Sequence, residues 1–269
     1  MDDKLHTMGG NMVRLGIIIL LLVGSCCFAD SPPQDSTEAN PPDGGILALT
    51  FNAGPGAKDW SSGRNDGTVE GATYSYGSGV GGGAYVLDGA NDYIDIQSVL
   101  GDMETTTEAT VCMWIKPADL AENYSCMFSF GDASAFSTLV LFRQGATDGT
   151  LYVYCIDGGD KWKFYSTGVV QVADVWQHIV FRFDGTIQTV WVNGKGVSLN
   201  HTITTDTTYW FSDFSAGAID SATLGSDNWN NQGNREFWKG EMDEVMIFSR
   251  ALTALEIEEL YEKGKANFK

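Results

Sequence analysis

The chain has 269 residues, of which 43% are hydrophobic and 12% aromatic, so it can fill a large core and is not disordered throughout. Its 16 basic and 35 acidic residues give a formal net charge of −19. Because nucleic acids and anionic membranes are bound by clustered cations, this charge argues against both as partners.

The first 29 residues have the features of a secretory signal peptide. Arg14 precedes an unbroken apolar run at 17–23, which is shorter than the ~20 residues of a transmembrane helix. Small residues follow, so we expect cleavage after Ala29, with Met12 as a candidate true start. The chain is then secreted. A lipid-anchored form attached through Cys26 is the alternative.

Residues 30–43 are predicted to be a linker, and residues 44–269 a single domain. The linker holds four of the six prolines, among Ser, Thr and Asp residues. No segment after the leader approaches the length of a membrane span.

Beyond the linker, the hydrophobic pattern mostly has the period of two that is typical of β-strands. Val111, Met113 and Ile115 alternate with other side chains, and Asn193-Gly194 is a turn pair that favours a tight hairpin. Short strands broken by turn signals every ~8–12 residues predict an antiparallel sandwich or barrel rather than a parallel α/β fold. The predicted strands include residues 47–51, 85–87, 93–96, 111–115, 127–130, 138–142, 151–156, 179–183 and 188–192.

One short helix is predicted near the C-terminus. Thr253 and Glu256 form a capping box, and Leu252 and Ile257 form a hydrophobic staple. Gly264 offers a C-terminal stop. We expect this helix to pack on one edge of the sandwich.

Three cysteines remain once the leader is set aside. Cys112, Cys126 and Cys155 all lie in strand-like runs, and an odd number allows at most one disulfide within the chain. We interpret them as small buried hydrophobic residues, with one disulfide as the alternative. Their spacing does not support a zinc site.

Several short motifs occur in a defined order along the domain. They are Leu87-Asp88-Gly89, Asp92-Tyr93-Ile94, Trp176-Gln177-His178, Val190-Trp191-Val192-Asn193-Gly194 and Gly240-Glu241-Met242-Asp243-Glu244. With these motifs, the sequence from Gly44 to about Tyr261 resembles the laminin-G-like, concanavalin-A-like jelly-roll domains of secreted proteins. The resemblance implies an all-β fold, an antiparallel two-sheet jelly-roll sandwich, which often binds sugars or proteins and often holds calcium.

Aromatic residues within the apolar strands are interpreted as parts of the core. Trp114, Trp176 and Trp191 lie in such runs and are expected to be buried rather than to bind a ligand. His178 alternates with the apolar residues of its strand, so we interpret it as a hydrogen-bonded structural histidine rather than a catalyst.

The same sandwich carries laminarinase-like glycoside hydrolases, whose two catalytic carboxyl groups stand ~5–5.5 Å apart. Their motif is Glu-x-Asp-x-Glu, sometimes with one inserted residue. Glu241 and Asp243 match its first part, but Val245 and Met246 occupy both permitted positions of the last glutamate. Glu244 is expected on the opposite face of the strand. We therefore predict a domain that is not an enzyme.

A structural calcium ion is the cofactor that the resemblance implies. In related domains an early Asp/Gly loop approaches a late strand, and Asp59 and Asp243 are the matching positions here. Asn65 or backbone carbonyls would complete the oxygen shell that calcium needs. Alternatively, Asp59 and Asn65 only form side-chain-bonded turns. Residues 157–160 are a weaker candidate, which we interpret as a hairpin tip.

Sugar binding needs exposed aromatic faces with amides and carboxylates nearby. Trp229 has polar neighbours on both sides, so we expect it to be exposed. Trp210 is a second candidate, although we favour a core position for it beneath a long loop. Trp162, between two lysines, is the third. The residues predicted to bind ligand are Trp229, Asn228, Asn230, Asn231, Asp227, Trp210 and Trp162.

These features predict a secreted, non-catalytic recognition domain that binds carbohydrate or mediates adhesion, with calcium as a candidate cofactor. Its partner would be an extracellular glycan or a cell-surface protein. A protein–protein or scaffold module of the cell envelope is the alternative function, and a laminarinase-like hydrolase is disfavoured. A concave patch of aromatic and amide side chains favours sugar, whereas a broad apolar or acidic surface favours a protein partner.

Overall fold

The computed structural model describes residues 43–120, 124–144 and 149–267. The predicted leader, and all of the linker except Asp43, lie outside these residues. The described chain forms two eight-stranded sheets, and the pairings between its named strands are all antiparallel. The prediction of an antiparallel two-sheet sandwich is confirmed.

The first sheet is built around its longest strand. Its members are β1 (Gly45–Leu49), β3 (Thr73–Ser75), β4 (Ala84–Asp88), β6 (Ala109–Pro117), β11 (Gln177–Phe183), β12 (Gln188–Val192), β13 (Lys195–Val197) and β18 (Lys239–Phe248). The order is β13-β12-β11-β6-β18-β4-β3, and β1 also pairs with β18. One side of β18 therefore pairs with β6, and the other side pairs first with β4 and then with β1.

The second sheet also has eight strands. They are β2 (Thr68–Glu70), β5 (Tyr93–Asp95), β7 (Cys126–Gly131), β8 (Ser137–Gln144), β9 (Leu151–Asp157), β10 (Asp160–Ser166), β14 (Leu199–Thr204) and β15 (Ser221–Leu224). Their order is β14-β10-β9-β8-β7-β15-β5-β2. A separate two-stranded hairpin consists of β16 (Asp227–Asn228) and β17 (Asn234–Arg235).

The core between the two sheets follows the predicted alternation. Val111, Met113 and Ile115 of β6 are fully buried against residues such as Val153 and Phe164 of the second sheet. Asn193 and Gly194 adopt φ values of 50° and 74° and close the β12–β13 hairpin, as their sequence predicts.

The C-terminal helix covers the outer face of the first sheet. The short helix α1 (Leu100–Met103) follows a 3-10 turn at Gln97–Val99, and α2 spans Ala254–Ala266. Thr253 and Glu256 form the predicted capping box. Ile257 and Leu260 pack with Cys112, Val180 and Met246, so α2 lies on the face of the sheet. The expected position on an edge of the sandwich is therefore wrong. The residues of β6 that point away from the core between the sheets, such as Cys112, are therefore buried beneath the helix.

The predicted helix stop at Gly264 is wrong. The helix continues to Ala266, and Gly264 is buried against the indole of Trp114. A Cβ atom at this position would lie 2.5 Å from Trp114 Nε1. The glycine is therefore explained by close packing and not by helix termination.

Cys112, Cys126 and Cys155 are buried and form no disulfide within the described residues, which confirms their interpretation as small core residues. Burial raises the pKa of the Cys112 and Cys155 thiols. Among the described residues, no helix is both long and apolar enough to span a bilayer.

Candidate functional site

The outer face of the second sheet carries a row of tyrosines. Along β9, Leu151, Val153 and Cys155 point into the core, so Tyr152 and Tyr154 occupy the opposite face. Tyr152 is half-buried, whereas Tyr154 is only 3% exposed.

The neighbouring strand β10 extends this row across the sheet. Tyr165 lies opposite Tyr152, and Lys163 lies opposite Tyr154. The Tyr152 and Tyr165 rings are nearly parallel, with centroids 6.3 Å apart. Lys163 Nζ is 6.0 Å from the centroid of Tyr152 and 5.6 Å from that of Tyr154. These cross-strand pairs form a continuous aromatic surface with one cation above it.

The hairpin β16–β17 forms one wall of this surface. Trp229 packs in a small cluster that includes Tyr154 and Ile156, on the outer side of the sheet. Its indole nitrogen donates a 2.8 Å hydrogen bond to Asp227 Oδ2, and the Arg235 guanidinium lies 4.8 Å from its ring. Because these three residues share the face of the hairpin that meets the sheet, they fix its position.

The rim of the surface is polar and partly exposed. Tyr124 is 50% exposed, with its ring 6.5 Å from that of Tyr152. Asn200 of the edge strand β14 donates a hydrogen bond to the Tyr165 hydroxyl. We name the residues Tyr124, Tyr152, Tyr154, Tyr165, Lys163, Asn200, Trp229 and Arg235 the tyrosine patch.

Two of the predicted ligand-binding tryptophans lie in the core. Trp162 is 0% exposed and Trp210 is 1% exposed. Trp162 points to the inner face of β10, and its indole nitrogen donates to the Tyr209 carbonyl. Trp210 stacks on Phe181 of the first sheet, which confirms the favoured interpretation of this residue as part of the core. Neither indole therefore offers the exposed face predicted for ligand binding, and Trp162 is buried because alternate residues of β10 turn inward.

The expected exposure of Trp229 is also wrong, since only 8% of this residue reaches solvent. Its polar neighbours fold it against the sheet instead of leaving it in solvent. Asp227 is fully buried, and Asn228 is half-buried with an Oδ1 atom that has no hydrogen-bond partner among the described residues. Asn230 and Asn231 adopt positive φ values and anchor the loop to residues 132–135 through their backbone nitrogens.

The predicted calcium ligands do not fit the ion. Both oxygens of the buried Asp59 are filled: Oδ1 accepts from the Ala48 and Ser61 nitrogens, and Oδ2 from the Ser61 hydroxyl and the Asn65 nitrogen. A carboxylate has about four lone-pair sites, and these donors occupy all of them. Asn65 also donates through Nδ2 to the Ile46 carbonyl. Asp59 and Asn65 therefore form a side-chain-bonded turn, which was the alternative to calcium binding.

Asp243 contacts a different loop. Its Oδ2 accepts from the Val80 and Gly81 nitrogens, at 2.7 and 3.4 Å, and its Oδ1 accepts from the Glu244 nitrogen. Burial and the nearby Glu244 raise the pKa of Asp243 well above its ordinary value. Within the described residues, no three His, Cys, Asp or Glu side chains form a metal-binding group.

We expect Asp59→Asn to lower the free energy of unfolding by about 2 kcal/mol, because its amide nitrogen would face backbone N–H donors. Urea unfolding would measure this loss, which should be equal with calcium and with a chelator. The melting temperature of the unsubstituted protein should also be the same in both. A rise of several degrees on adding calcium would show that the ion binds the folded state after all.

The strand segment that resembles a hydrolase motif is held by other contacts. Glu241 Oε1 accepts a 2.8 Å hydrogen bond from Lys116 Nζ. A bulge interrupts the β18–β6 register between Asp243 and Met246, and Glu244 within it has a φ of 49°. Glu241 is thus paired with a lysine, while Asp243 caps a loop.

A polar cleft of about 440 Å³ lies elsewhere, at the start of β1. Asp102 and several threonines are among its lining residues, and none of the described residues that line it is aromatic. It therefore offers no face against which a sugar ring could pack.

Our sequence reasoning missed Tyr152, Tyr154, Tyr165 and Arg235. The signal was present for the tyrosines, because residues two apart on a strand share a face. The residues 157–160 form the turn between β9 and β10, as predicted, and this turn sets Tyr152 opposite Tyr165. Arg235 had no such signal, since its position depends on the hairpin folding back onto the sheet.

The chain belongs to the Laminin_G_3 family, described as the concanavalin A-like lectin/glucanases superfamily, whose model matches residues 88–258. This match covers more than half of the chain and confirms the resemblance drawn from the ordered motifs. No curated protein matches the sequence at a significant level.

Solved structures with a similar fold include several domains of carbohydrate-active proteins. Domain 4 of AbnA, a GH43 extracellular arabinanase from Geobacillus stearothermophilus in complex with arabinotriose, is 21% identical with a TM-score of 0.59, over 81% of this chain and 98% of that one. The Ruminococcus gnavus IT-sialidase CBM40 bound to alpha2,3 sialyllactose is 12% identical with a TM-score of 0.55, over 66% and 95%. The NanB sialidase from Streptococcus pneumoniae is 26% identical with a TM-score of 0.53, over 65% of this chain but only 27% of that one.

Proposed function

We propose that this domain is a non-catalytic carbohydrate-binding module and that the tyrosine patch is its sugar site. The observation that carries the proposal is the pair of half-buried rings, Tyr152 and Tyr165, between the hairpin wall and the edge strand. Such faces pack against the C–H faces of sugars, while Lys163 and Asn200 can bind hydroxyl groups. Family membership and the arabinotriose bound by the arabinanase domain support the class of ligand.

We expect Tyr152→Ala and Tyr165→Ala to weaken glycan binding at least about tenfold each, because each removes a packing face at the centre of the site. Affinity electrophoresis through arabinan, β-glucan and xylan gels would identify a ligand, and titration calorimetry would then give the Kd values. Tyr76→Ala is the matched control, since Tyr76 is 77% exposed and lies outside the patch.

The proposal fails if the unsubstituted protein binds no glycan in such a screen. It also fails if both patch variants, shown to be folded by circular dichroism, bind as tightly as the control variant. Binding that is lost only in Trp229→Ala, with Tyr152→Ala unaffected, would move the site to the hairpin loop.

The absence of catalysis is part of this proposal. Glu241 is neutralised by Lys116, and Val245 and Met246 stand where a second catalytic glutamate would be needed. Release of reducing sugar from laminarin that disappears in Glu241→Gln would contradict it.

A protein–protein or scaffold module remains a second candidate because one loop exposes several valines. Val169 is 67% exposed, Val172 48% and Val175 47%, all within the segment between β10 and β11. Exposed apolar residues grouped in this way are typical of interaction surfaces. This candidate predicts that Val169→Asp abolishes sedimentation with the cell-envelope fraction and leaves glycan binding unchanged.

We further propose that the domain acts outside the cell. Residues 17–29 support cleavage after Ala29, and Cys26 supports the lipid-anchored alternative. The mass of the mature chain separates the two, because a cleaved protein begins at Asp30 and a lipoprotein begins at a modified Cys26.

A further inference from the structure

We propose that the tyrosine patch selects sugars that carry a carboxylate, with Lys163 and Arg235 as the groups that recognise it. This inference rests on the proposed function and names the ligand class of the same site. The shared chemistry is a pyranose with a carboxylate, as in sialic and uronic acids.

The two cations meet on one aromatic cluster although the protein as a whole is strongly acidic. Lys163 lies over Tyr154, and Arg235 lies over Trp229, and both rings belong to the same cluster on the outer face of the second sheet. With a net charge of −19, the chain has few cations to distribute. Their convergence on one surface places two positively charged groups next to the rings on which a sugar would pack.

Some hydrogen-bond donors of these two cations are not used by the described residues. The Lys163 ammonium is 3.5 Å from Asp160 but makes no hydrogen bond with the described residues. Arg235 uses Nη1 to donate to Gln232, while its buried Nε has no partner among those residues. Its distances to Asp227 and Glu236 are 4.0 and 3.8 Å, too long for hydrogen bonds.

Three other cations of the domain form shorter ion pairs. Lys116, Arg182 and Arg250 each donate a hydrogen bond to a carboxylate of the same chain. The carboxylates next to Lys163 and Arg235 lie at 3.5–4.0 Å and offset part of their charge. They leave the Lys163 ammonium and Arg235 Nη2 with hydrogen-bond donors for a ligand.

A sugar carboxylate fits what these residues offer. Its oxygens can accept from the Lys163 ammonium and from Arg235 Nη2, and hydrogen bonds between charged groups are roughly twice as strong as neutral ones. The apolar face of the sugar ring would pack on Tyr152 and Tyr165, so that the ring and the acid are bound by different parts of the patch.

Titration calorimetry with two matched pairs of sugars tests the proposal. The first pair is 3′-sialyllactose against lactose, and the second is trigalacturonate against galactotriose. We expect the acid of at least one pair to bind about tenfold or more tightly than its neutral partner, as one charged hydrogen bond allows. The pair that shows the difference identifies sialic or uronic acid as the source.

Variants then assign the preference to the two cations. We expect Lys163→Met and Arg235→Met to weaken binding of the acidic sugar much more than binding of its neutral partner, so that the preference is lost. Arg235→Lys should retain part of the preference because the positive charge remains. Lys195→Met, on the exposed edge of the first sheet, is the control and should change nothing. Melting temperatures confirm that each variant is folded.

The outcomes separate this inference from the proposed function. Neutral sugars that bind as tightly as the acids, or a preference for acid that survives in Lys163→Met and Arg235→Met, would overturn the inference while sugar binding stands. If no sugar of any kind binds, and Tyr152→Ala changes nothing, both proposals fall together.

Discussion

Replacement of Trp162 by alanine should lower the free energy of unfolding by about 3–5 kcal/mol, the range expected when a large aromatic side chain is removed from a core. Trp162 is 0% exposed, and its ring lies 5.4 Å from Phe164 and 6.2 Å from Phe181. Because Phe181 belongs to the first sheet, Trp162 connects the two layers of the sandwich. For a domain of this size, the melting temperature should fall by about 10 °C.

A graded variant separates the two contributions of this residue. Trp162→Phe keeps most of the packing but removes the 2.8 Å hydrogen bond from Nε1 to the Tyr209 carbonyl, so we expect a loss of about 1–2 kcal/mol. Urea unfolding followed by far-ultraviolet circular dichroism measures both values. If Trp162→Ala has normal stability but loses glycan binding, Trp162 is a ligand contact, as its position between two lysines first indicated.

The alternation of side chains predicted the sandwich because it depends only on residues within one strand. Val111, Met113 and Ile115 must share one face of β6 whatever the neighbouring strand is, and the structure places all three in the core. The capping box at Thr253 and Glu256 is equally local, and it is present as predicted. Local patterns of this kind depend only on residues close in sequence.

The positions of the tryptophans could not be read in the same way. Trp229 has polar neighbours, but its burial depends on a hairpin that folds back onto a strand about 75 residues earlier. Asp59 shows the same limit, since its sequence context suits calcium as well as a turn. Only the four donors that converge on its carboxylate decide between the two.

The second large effect is a loss of stability at acidic pH, and it is caused by a histidine buried beneath α2. His178 is 2% exposed, and its ring lies 5.3 Å from that of Trp114 and 6.3 Å from that of Tyr261 on the helix. Its Nδ1 has no hydrogen-bond partner among the described residues, contrary to the hydrogen-bonded histidine we expected. Burial lowers the pKa of His178 from its ordinary value of 6.5 to about 3.

The sign of the effect follows from proton binding in the two states. Above pH 6.5 His178 is neutral whether the chain is folded or unfolded, so it contributes no pH dependence. Between pH 6.5 and about 3 the unfolded chain binds a proton that the folded chain excludes, and stability falls by about 1.4 kcal/mol per pH unit. At pH 4.5 the expected loss is about 3 kcal/mol.

Two other groups titrate in neighbouring ranges and must be separated from His178. The raised pKa of Asp243 acts in the opposite direction, because the folded state then takes up a proton before the unfolded state does as the pH falls. Glu256, whose pKa its hydrogen bond with Arg250 lowers to about 2, contributes stability that is lost only as the pH falls from 4.5 towards 2. Between pH 6.5 and 4.5 Glu256 contributes little to the change of stability with pH. The Asp243 contribution is common to the proteins with and without His178, so the difference between their slopes reports the histidine.

Replacement of His178 by phenylalanine should flatten the dependence of stability on pH in this interval. The aromatic ring is retained between Trp114 and Tyr261, and the backbone nitrogen can still donate to Asn193 Oδ1. Urea unfolding at half-unit steps of pH would measure the slope, with Glu256→Gln as a control that should alter it only below pH 4.5. An unchanged slope in His178→Phe would show that another group controls acid unfolding and that the histidine is protonated without opening the contact between helix and sheet.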